Sequence, residues 1–466
     1  MDKYKRLLSN TLIFAIGIFG SKLLSFLMMP YLTRVMNTQQ FGQADLIFQA
    51  GNFLLPVVSL GITNSIIRFG LDKAVKKEEV FSTGILAVFF GFLVLLAVTP
   101  LLSMISFFKG NTLLICVFVL MSSLRSVCAQ FTRAKGEVRL FAFDGILSTL
   151  TTIGFYVLFL SGLKWGATGY VLAMVCSDAL SVVFLSIMVK LPRYVSVKKF
   201  SWNTSKEMLK YSVPMIPNSM FWWITNVSNR FMITHFLGTG ANGLYSAASK
   251  IPTAISLVGD VFLNAWQISA VTEEKQRGKF FSRVFRSYSA VLFICAAVII
   301  LFSKVVTKIL VADTYYESWK FIPLLTVAIV FSNLVTFLGS VYMVEKRSLL
   351  SLGTTVVGAV VNVVLNLLLI PGYGPNGAAF ATLVSYFVVF ILRGINATTH
   401  IKMRWNIGNL VLNGILLMAE CMLMVFEVPG WMVWVTLLML GVIAINLRPI
   451  LKSVKQLLPS RRKAND

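Results

Sequence analysis

Fourteen apolar segments, each long enough to cross a bilayer, recur along the chain, and no soluble core can absorb that many. They lie at 12–33, 41–66, 80–107, 113–131, 140–163, 167–189, 211–237, 243–270, 288–310, 321–344, 349–370, 377–395, 407–426 and 431–447. About 20 mostly apolar residues span the hydrocarbon as a helix, and lipid tolerates only helices or closed barrels. With 57% hydrophobic and 13% charged residues and a mean hydropathy of +0.80, the expected fold is an all-α polytopic membrane protein of about 14 transmembrane helices.

A net charge of +24 would suit a nucleic-acid partner, but the positions of the charges argue against one. With the amino terminus placed in the cytoplasm, and with Lys304, Lys308 and Arg393 toward their span ends counted with the adjoining loops, 32 of the 42 Lys and Arg fall on the inner side, six (Arg34, Lys109, Lys164, Lys304, Lys308 and Lys320) on the outer side, and four within spans. That imbalance is the positive-inside signal and puts both termini in the cytoplasm. The basic loops then read as topology signals and as contacts to anionic membrane lipids. Lys3, Lys5 and Arg6 before an apolar run have the look of a signal peptide, but the run continues to Thr33 and thirteen more spans follow, so it reads as an uncleaved first helix.

Cofactor chemistry has little to stand on. Cys116, Cys128, Cys176, Cys295 and Cys421 all fall in apolar spans without a C-x-x-C pair, and the two histidines, His235 and His400, are expected on opposite sides of the membrane. No metal and no cofactor is therefore expected. Gly372, Gly374 and Gly377 satisfy G-x-G-x-x-G. A dinucleotide site needs a short strand before the glycines and an acid about twenty residues after them. Here the flanks are of span length and no acid occurs between Glu345 and Glu420, so the glycines read as a turn.

The sequence also matches itself. At a shift of 201, Thr33, Thr38 and Gly42 fall on Thr234, Thr239 and Gly243, and Asp45, Gln49, Asn52, Ser59 and Thr63 fall on Ser246, Lys250, Thr253, Asp260 and Asn264. At a shift of 208, Glu137, Arg139, Gly145, Gly166, Gly169 and Ser177 fall on Glu345, Arg347, Gly353, Gly374, Gly377 and Ser385. Two repeats of six spans share one orientation, which predicts two lobes around a central cavity near the midplane. The expected domains are an N-terminal lobe (1–190), a basic cytoplasmic linker (191–210) that lies amphipathically on the lipid surface, a C-terminal lobe (211–404), and two further helices with a basic tail (405–466).

Function must come from polarity inside the spans. In the eighth, Ser246, Ser249, Thr253, Ser256, Asp260, Asn264 and Gln267 recur every three or four residues with Lys250 beside them, so they share one helical face. Such a face lines protein or water, because unsatisfied polar groups in hydrocarbon cost several kcal/mol or so. The in-span cations are Lys22, Arg125, Arg230 and Lys250, and the acids are Asp45, Asp144, Asp178, Asp260 and Glu420. Some of these charges can be ion pairs that lock helices, or snorkelling residues near an interface. Lys22, Arg125 and Lys250 share faces with small polar residues and favour the cavity reading. Asp178, Asp260 and Glu420 are the candidates for ion coupling. In the seventh span Asn218, Trp222, Thr225, Asn226 and Asn229 form an aromatic plate flanked by amides, suited to sugar hydroxyls and C–H faces, although Trp222 and Trp223 also suit an interfacial belt. The expected site is a cavity with Lys22, Arg125, Arg230 and Lys250 for phosphate charge and Asn52, Asn218, Trp222, Asn226, Asn229, Thr253 and Asn264 for sugar.

The runs Ile18-Phe19-Gly20-Ser21-Lys22-Leu23-Leu24, Pro30-Tyr31-Leu32-Thr33-Arg34 and Phe41-Gly42-Gln43-Ala44-Asp45-Leu46, with Gly61-Ile62 before Arg68-Phe69, resemble polysaccharide biosynthesis proteins of the Wzx type. These are lipid-linked oligosaccharide flippases of the multidrug, oligosaccharidyl-lipid and polysaccharide exporter superfamily. The resemblance implies alternating-access transfer of undecaprenyl-diphosphate-linked sugar units to the outer leaflet of the bacterial cytoplasmic membrane for capsule, O-antigen or similar polymers. It also implies a polysaccharide polymerase and a chain-length regulator as partners. Ser21-Lys22 and Lys250-x-Pro252 are similar to short patterns of the peptidoglycan-precursor flippases. Phe26 to Met29 lack the arginine and aspartate pair of that group, which counts against peptidoglycan precursor as the cargo. The rivals are a cation-coupled multidrug exporter, which favours an acidic lumen and usually twelve spans, and a membrane glycan polymerase or transferase, which would need a large catalytic loop that the sequence lacks.

Overall fold

The computed structural model describes residues 24, 26–72, 75–104, 110–195, 200–272, 277–344, 348–401, 403 and 405–457. Among these the chain is helical and contains no strand. It divides into two compact units, Met1–Val227 with Gly238–Gly243, and Ser228–Leu237 with Leu244–Asp466.

The first unit holds α1 (Met29–Val35), α2 (Thr38–Val58), α3 (Ile62–Gly70), α4 (Lys77–Ser103), α5 (Thr112–Ala134), α6 (Val138–Tyr156, continued by one wide turn to Gly162), α7 (Gly166–Val189) and α8 (Trp202–Ser212). Asn37 starts α2 with a capping box: its side chain accepts from the Gln40 amide at 2.8 Å, and Gln40 Oε1 accepts from the Asn37 amide at 3.2 Å. Pro56, which has no N–H, and Gly61 at φ +62° end that helix, and α3 leaves it at a bend of 52°. The expected second span, 41–66, is therefore a broken helix.

A core of Ile62, Ile66, Val80, Phe81, Val127, Phe131, Leu185 and Met208 joins α3, α4, α5 and α7 to α8. Helix α8 falls in the expected linker, and the structure gives it a protein face in addition to the lipid face read from its basic residues. Ser205, Met208 and Ser212 are buried, Ser65 donates to the Met208 carbonyl at 2.7 Å, and Thr204 donates to Glu79 at 2.7 Å. Trp202, Lys206 and Lys210 remain exposed.

Helix α9 (Met215–Leu237) runs through both units, and α10 (Thr239–Lys250) begins in the first. Here two glycines cross. A Cβ on Gly42 would overlap the Thr239 carbonyl, and a Cβ on Gly243 would overlap the Thr38 carbonyl. Asn242 Nδ2 donates to the Gly42 carbonyl at 3.0 Å. Only glycine permits backbones this close.

The second unit continues with α11 (Thr253–Thr272), α12 (Arg277–Leu310), α13 (Ile322–Val344), α14 (Ser348–His400), α15 (Ile407–Val425) and α16 (Trp431–Leu457). The expected eighth span, 243–270, breaks between α10 and α11 at Ile251-Pro252, where proline withholds a donor. Helix α14 folds back at Gly374, whose φ of +60° and ψ of −146° lie between Pro371 and Pro375. This is the turn expected of that glycine run. Gly166, which the sequence match places opposite Gly374, also has a positive φ, +52°.

Among the described residues nine helices are long and apolar enough to cross a membrane, with α2 and α3 as one further bent span. Two of the expected fourteen segments share the folded α14, and the polar α9, α10 and α11 fall outside that set. Most of the first segment lies outside the described residues. The last two helices are tied to each other by a reciprocal amide pair: Asn446 Nδ2 donates to Asn413 Oδ1 at 2.5 Å and Asn413 Nδ2 to Asn446 Oδ1 at 3.4 Å, both residues buried. Lys304 of α12 pairs with Glu427 in the α15–α16 turn and lies over Trp319 at 4.2 Å and Trp431 at 4.7 Å.

Candidate functional site

In the first unit the in-span charges find one another. Arg125 of α5 donates to Asp178 of α7 at 3.0 Å and stands 3.6 Å from Asp144 of α6. Its Nε donates to Ser181 at 3.1 Å, Ser181 donates to Asp144, and Ser122 donates to Asp178. Asp178 has no basic neighbour on its own helix; its partner lies across the bundle. The carboxylates are almost wholly buried while 28% of the Arg125 side chain is exposed. Two acids around one base satisfy the guanidinium, so Arg125 has less to offer an outside anion than the sequence suggested. Asn52 is half-buried on α2 and donates to the Phe48 carbonyl at 3.0 Å. Trp222 is 61% exposed. Its neighbour Trp223 turns inward, donating to the Gln49 carbonyl at 3.1 Å and packing on Phe53 at 4.5 Å.

In the second unit the stripe is divided by its helix break. Arg230 of α9 donates to Ser246 at 3.2 Å and Ser249 at 3.0 Å, so the first turns of the stripe face α9. Lys250 ends α10 half-buried, and exposed Thr253 opens α11, its hydroxyl on the Lys250 carbonyl. Asn229 is buried and donates to Tyr245 at 2.5 Å and Thr382 at 3.2 Å, tying α9 to α10 and α14. Asp260 is half-buried on α11, and the Tyr288 hydroxyl of α12 donates to Asn333 Oδ1 at 3.2 Å. Glu420 lies fully buried on α15. Lys22 lies outside the described residues, as do the side chains of Asn218, Asn226 and Asn264.

Two features escaped the sequence reading. Arg393 lies within α14, 7% exposed. It donates to Thr354 Oγ1 at 3.0 Å, Thr355 Oγ1 at 3.1 Å and the Val335 carbonyl at 3.0 Å. Standing two residues from the expected boundary at Ile395, it reads as a loop charge in the sequence. The second is an amide ladder: Asn366 donates to Asn362 at 2.8 Å, Ser228 donates to the same Asn362 oxygen at 2.9 Å, and Asn362 donates to Ser385 at 3.4 Å. The i, i+4 spacing of Asn362 and Asn366 inside an apolar run is the signal that points to it.

Spanning helices that hold arginines against hydroxyls, carbonyls and carboxylates define a multi-pass α-helical membrane protein with polar networks at membrane depth. The chain belongs to the polysaccharide biosynthesis protein family, whose model matches residues 7–267. It is 24% identical over 438 residues to the probable low-salt glycan biosynthesis flippase Agl15 of Haloferax volcanii, covering 88% of each chain. Among solved structures it resembles a lipid II flippase MurJ in an inward closed conformation, with a TM-score of 0.71, 14% identity, and coverage of 96% of this chain and 100% of that one. It also resembles an inward-facing multidrug resistance MATE family transporter of the MOP superfamily, with a TM-score of 0.63, 15% identity, and coverage of 82% and 96%. These structural likenesses establish the fold.

Proposed function

We propose that this chain is a flippase for lipid-linked glycan precursors, moving undecaprenyl-diphosphate-linked oligosaccharide units from the cytoplasmic to the outer leaflet of a bacterial cytoplasmic membrane by alternating access. The product feeds surface polysaccharide assembly, with a polymerase and a chain-length regulator downstream and both termini in the cytoplasm. No bond is made or broken, so the task is electrostatic: a diphosphate and its sugars must leave water without losing every polar partner. The observation that carries the reading is the match over 438 residues to a glycan-biosynthesis flippase, in a chain whose second unit holds Arg230 against serine hydroxyls and half-buried Lys250 one helix turn further on.

In this reading Lys22, Arg230 and Lys250 meet the diphosphate, Arg125 adds charge through its exposed edge, and Asn52, Trp222, Thr253 and the amides at 218, 226 and 264 meet sugar, while buried Asn229, its amide engaged by Tyr245 and Thr382, holds helices together and leaves the sugar to the others. Asp178, Asp260 and Glu420 are where ions would couple. The test replaces Lys22 and Lys250 separately with Ala. Expected is loss of surface glycan, with the lipid-linked precursor accumulating in the inner leaflet and the protein still in the membrane. Normal surface glycan in both variants overturns the reading.

A further inference from the structure

One of the three candidates for ion coupling lies outside the region where the sequence matches itself. Glu420 sits on α15, which packs against α12, α13 and α16. Its side chain is fully buried, and neither carboxyl oxygen has a hydrogen-bond partner among the described residues. The surroundings explain why. One turn further on, Met424 is buried and takes the Ser303 hydroxyl of α12 on its sulfur at 3.3 Å. One turn back, Leu417 is buried.

The charged groups nearby are already engaged. Lys304, the next residue on α12, is held by Glu427 and two tryptophan faces, and half-buried Cys295 is the other titratable group toward the middle of that helix. On α13 the only titratable group is Tyr342 near its far end, 5.8 Å from the Arg393 guanidinium. Helix α16 carries none between Trp431 and Arg448, and on α15 itself only buried Cys421 adjoins.

A carboxylate in such a place would be a bare charge at membrane depth. We propose that the α15–α16 pair docks on α12 and α13 only while Glu420 is a neutral carboxylic acid, so that the docked pair is a proton-holding element and losing that proton loosens it. The pair has fixed points on either side: the Asn413–Asn446 amides within it and the Lys304–Glu427 clasp at the turn. Between them Glu420 is the one carboxyl on α15. Loosening therefore begins at the α15 face that carries Glu420 and leaves the amide pair intact.

The test is amide hydrogen exchange across α15 in the full chain, in detergent or nanodiscs, comparing wild type with Glu420→Gln and Glu420→Leu at each of several pH values. Intrinsic exchange chemistry cancels between proteins at one pH. Expected is equal protection in mildly acid buffer, and about ten-fold or faster exchange of wild-type α15 than of either variant in mildly alkaline buffer. Two results overturn the proposal: wild type and Glu420→Gln tracking each other at every pH, or Glu420→Gln losing protection already in acid, which would mean that the group docks as an anion. The readout is independent of transport, so it stands or falls apart from the flippase reading.

Discussion

Arg125 and Asp178, 53 residues apart in sequence, meet across two helices at 3.0 Å, with Asp144 completing a cluster of two acids around one base. Removing the arginine leaves two carboxylates facing each other in a poorly hydrated bundle. Breaking a buried pair in this way costs about 3–5 kcal/mol, and the partial exposure of Arg125 places it toward the lower figure. Arg125→Ala should therefore lower the melting temperature of the purified protein by more than Asp178→Asn, which leaves Asp144 in place. Unchanged stability with lost export would instead assign Arg125 to the cargo.

The crossing of Gly42 and Gly243 has no slack, because each faces a backbone carbonyl rather than the end of a side chain. Gly42→Ala and Gly243→Ala should each destabilise by about 1–3 kcal/mol. Gly441→Ala on α16, where an added Cβ meets nothing within 4 Å, should be neutral or gain up to about 1 kcal/mol. Thermal melts of the three variants make the comparison, and equal effects would show that the crossing is loose.

At the α15–α16 turn, the Lys304 hydrogen bond and charge hold the exposed Glu427 carboxyl below the usual carboxylate range. Its folded value lies under its unfolded one, so its contribution is complete above the unfolded range, about 4.3, and is lost as pH falls through the folded value. The melting difference between wild type and Glu427→Gln should stay constant from neutral pH down to about 5 and fade below about 4. A difference that grows on acidification would refute the pairing.

Sidedness can be tested directly. Single cysteines at Gly240, in the turn opening α10, and at Lys206, exposed on α8, should label from opposite faces of the membrane with an impermeant reagent, Gly240 from outside and Lys206 from inside. The reverse pattern would invert the reading drawn from the basic loops.

Span-length helices, the Gly374 turn and the polarity of the eighth segment were legible because each is written in one stretch of chain. What stayed hidden depends on how helices rotate against each other. Helical spacing puts Ser246 and Ser249 on a common face, yet it does not say that the face meets Arg230 rather than water. Asp178 looked solitary because its partner is on another helix, and Arg393 looked like a loop charge because two residues separate it from a soft boundary. The break at Pro252 was visible as a residue but not as a bend, since proline is tolerated inside membrane helices where neighbours satisfy the freed carbonyl.

The seating of α8 on α3 and α4 bears on how the polypeptide can be divided. A cut between residues 195 and 200 looks natural, since it falls between two stretches of apolar spans. Yet α8, the start of α9 and Gly238–Gly243 all pack with the first unit, so the upstream fragment would lack pieces of its own interior and the downstream one would carry them unhoused. Expressed alone, each fragment should be degraded; expressed together from separate genes, the two should reassemble, which makes this chain a natural subject for fragment complementation.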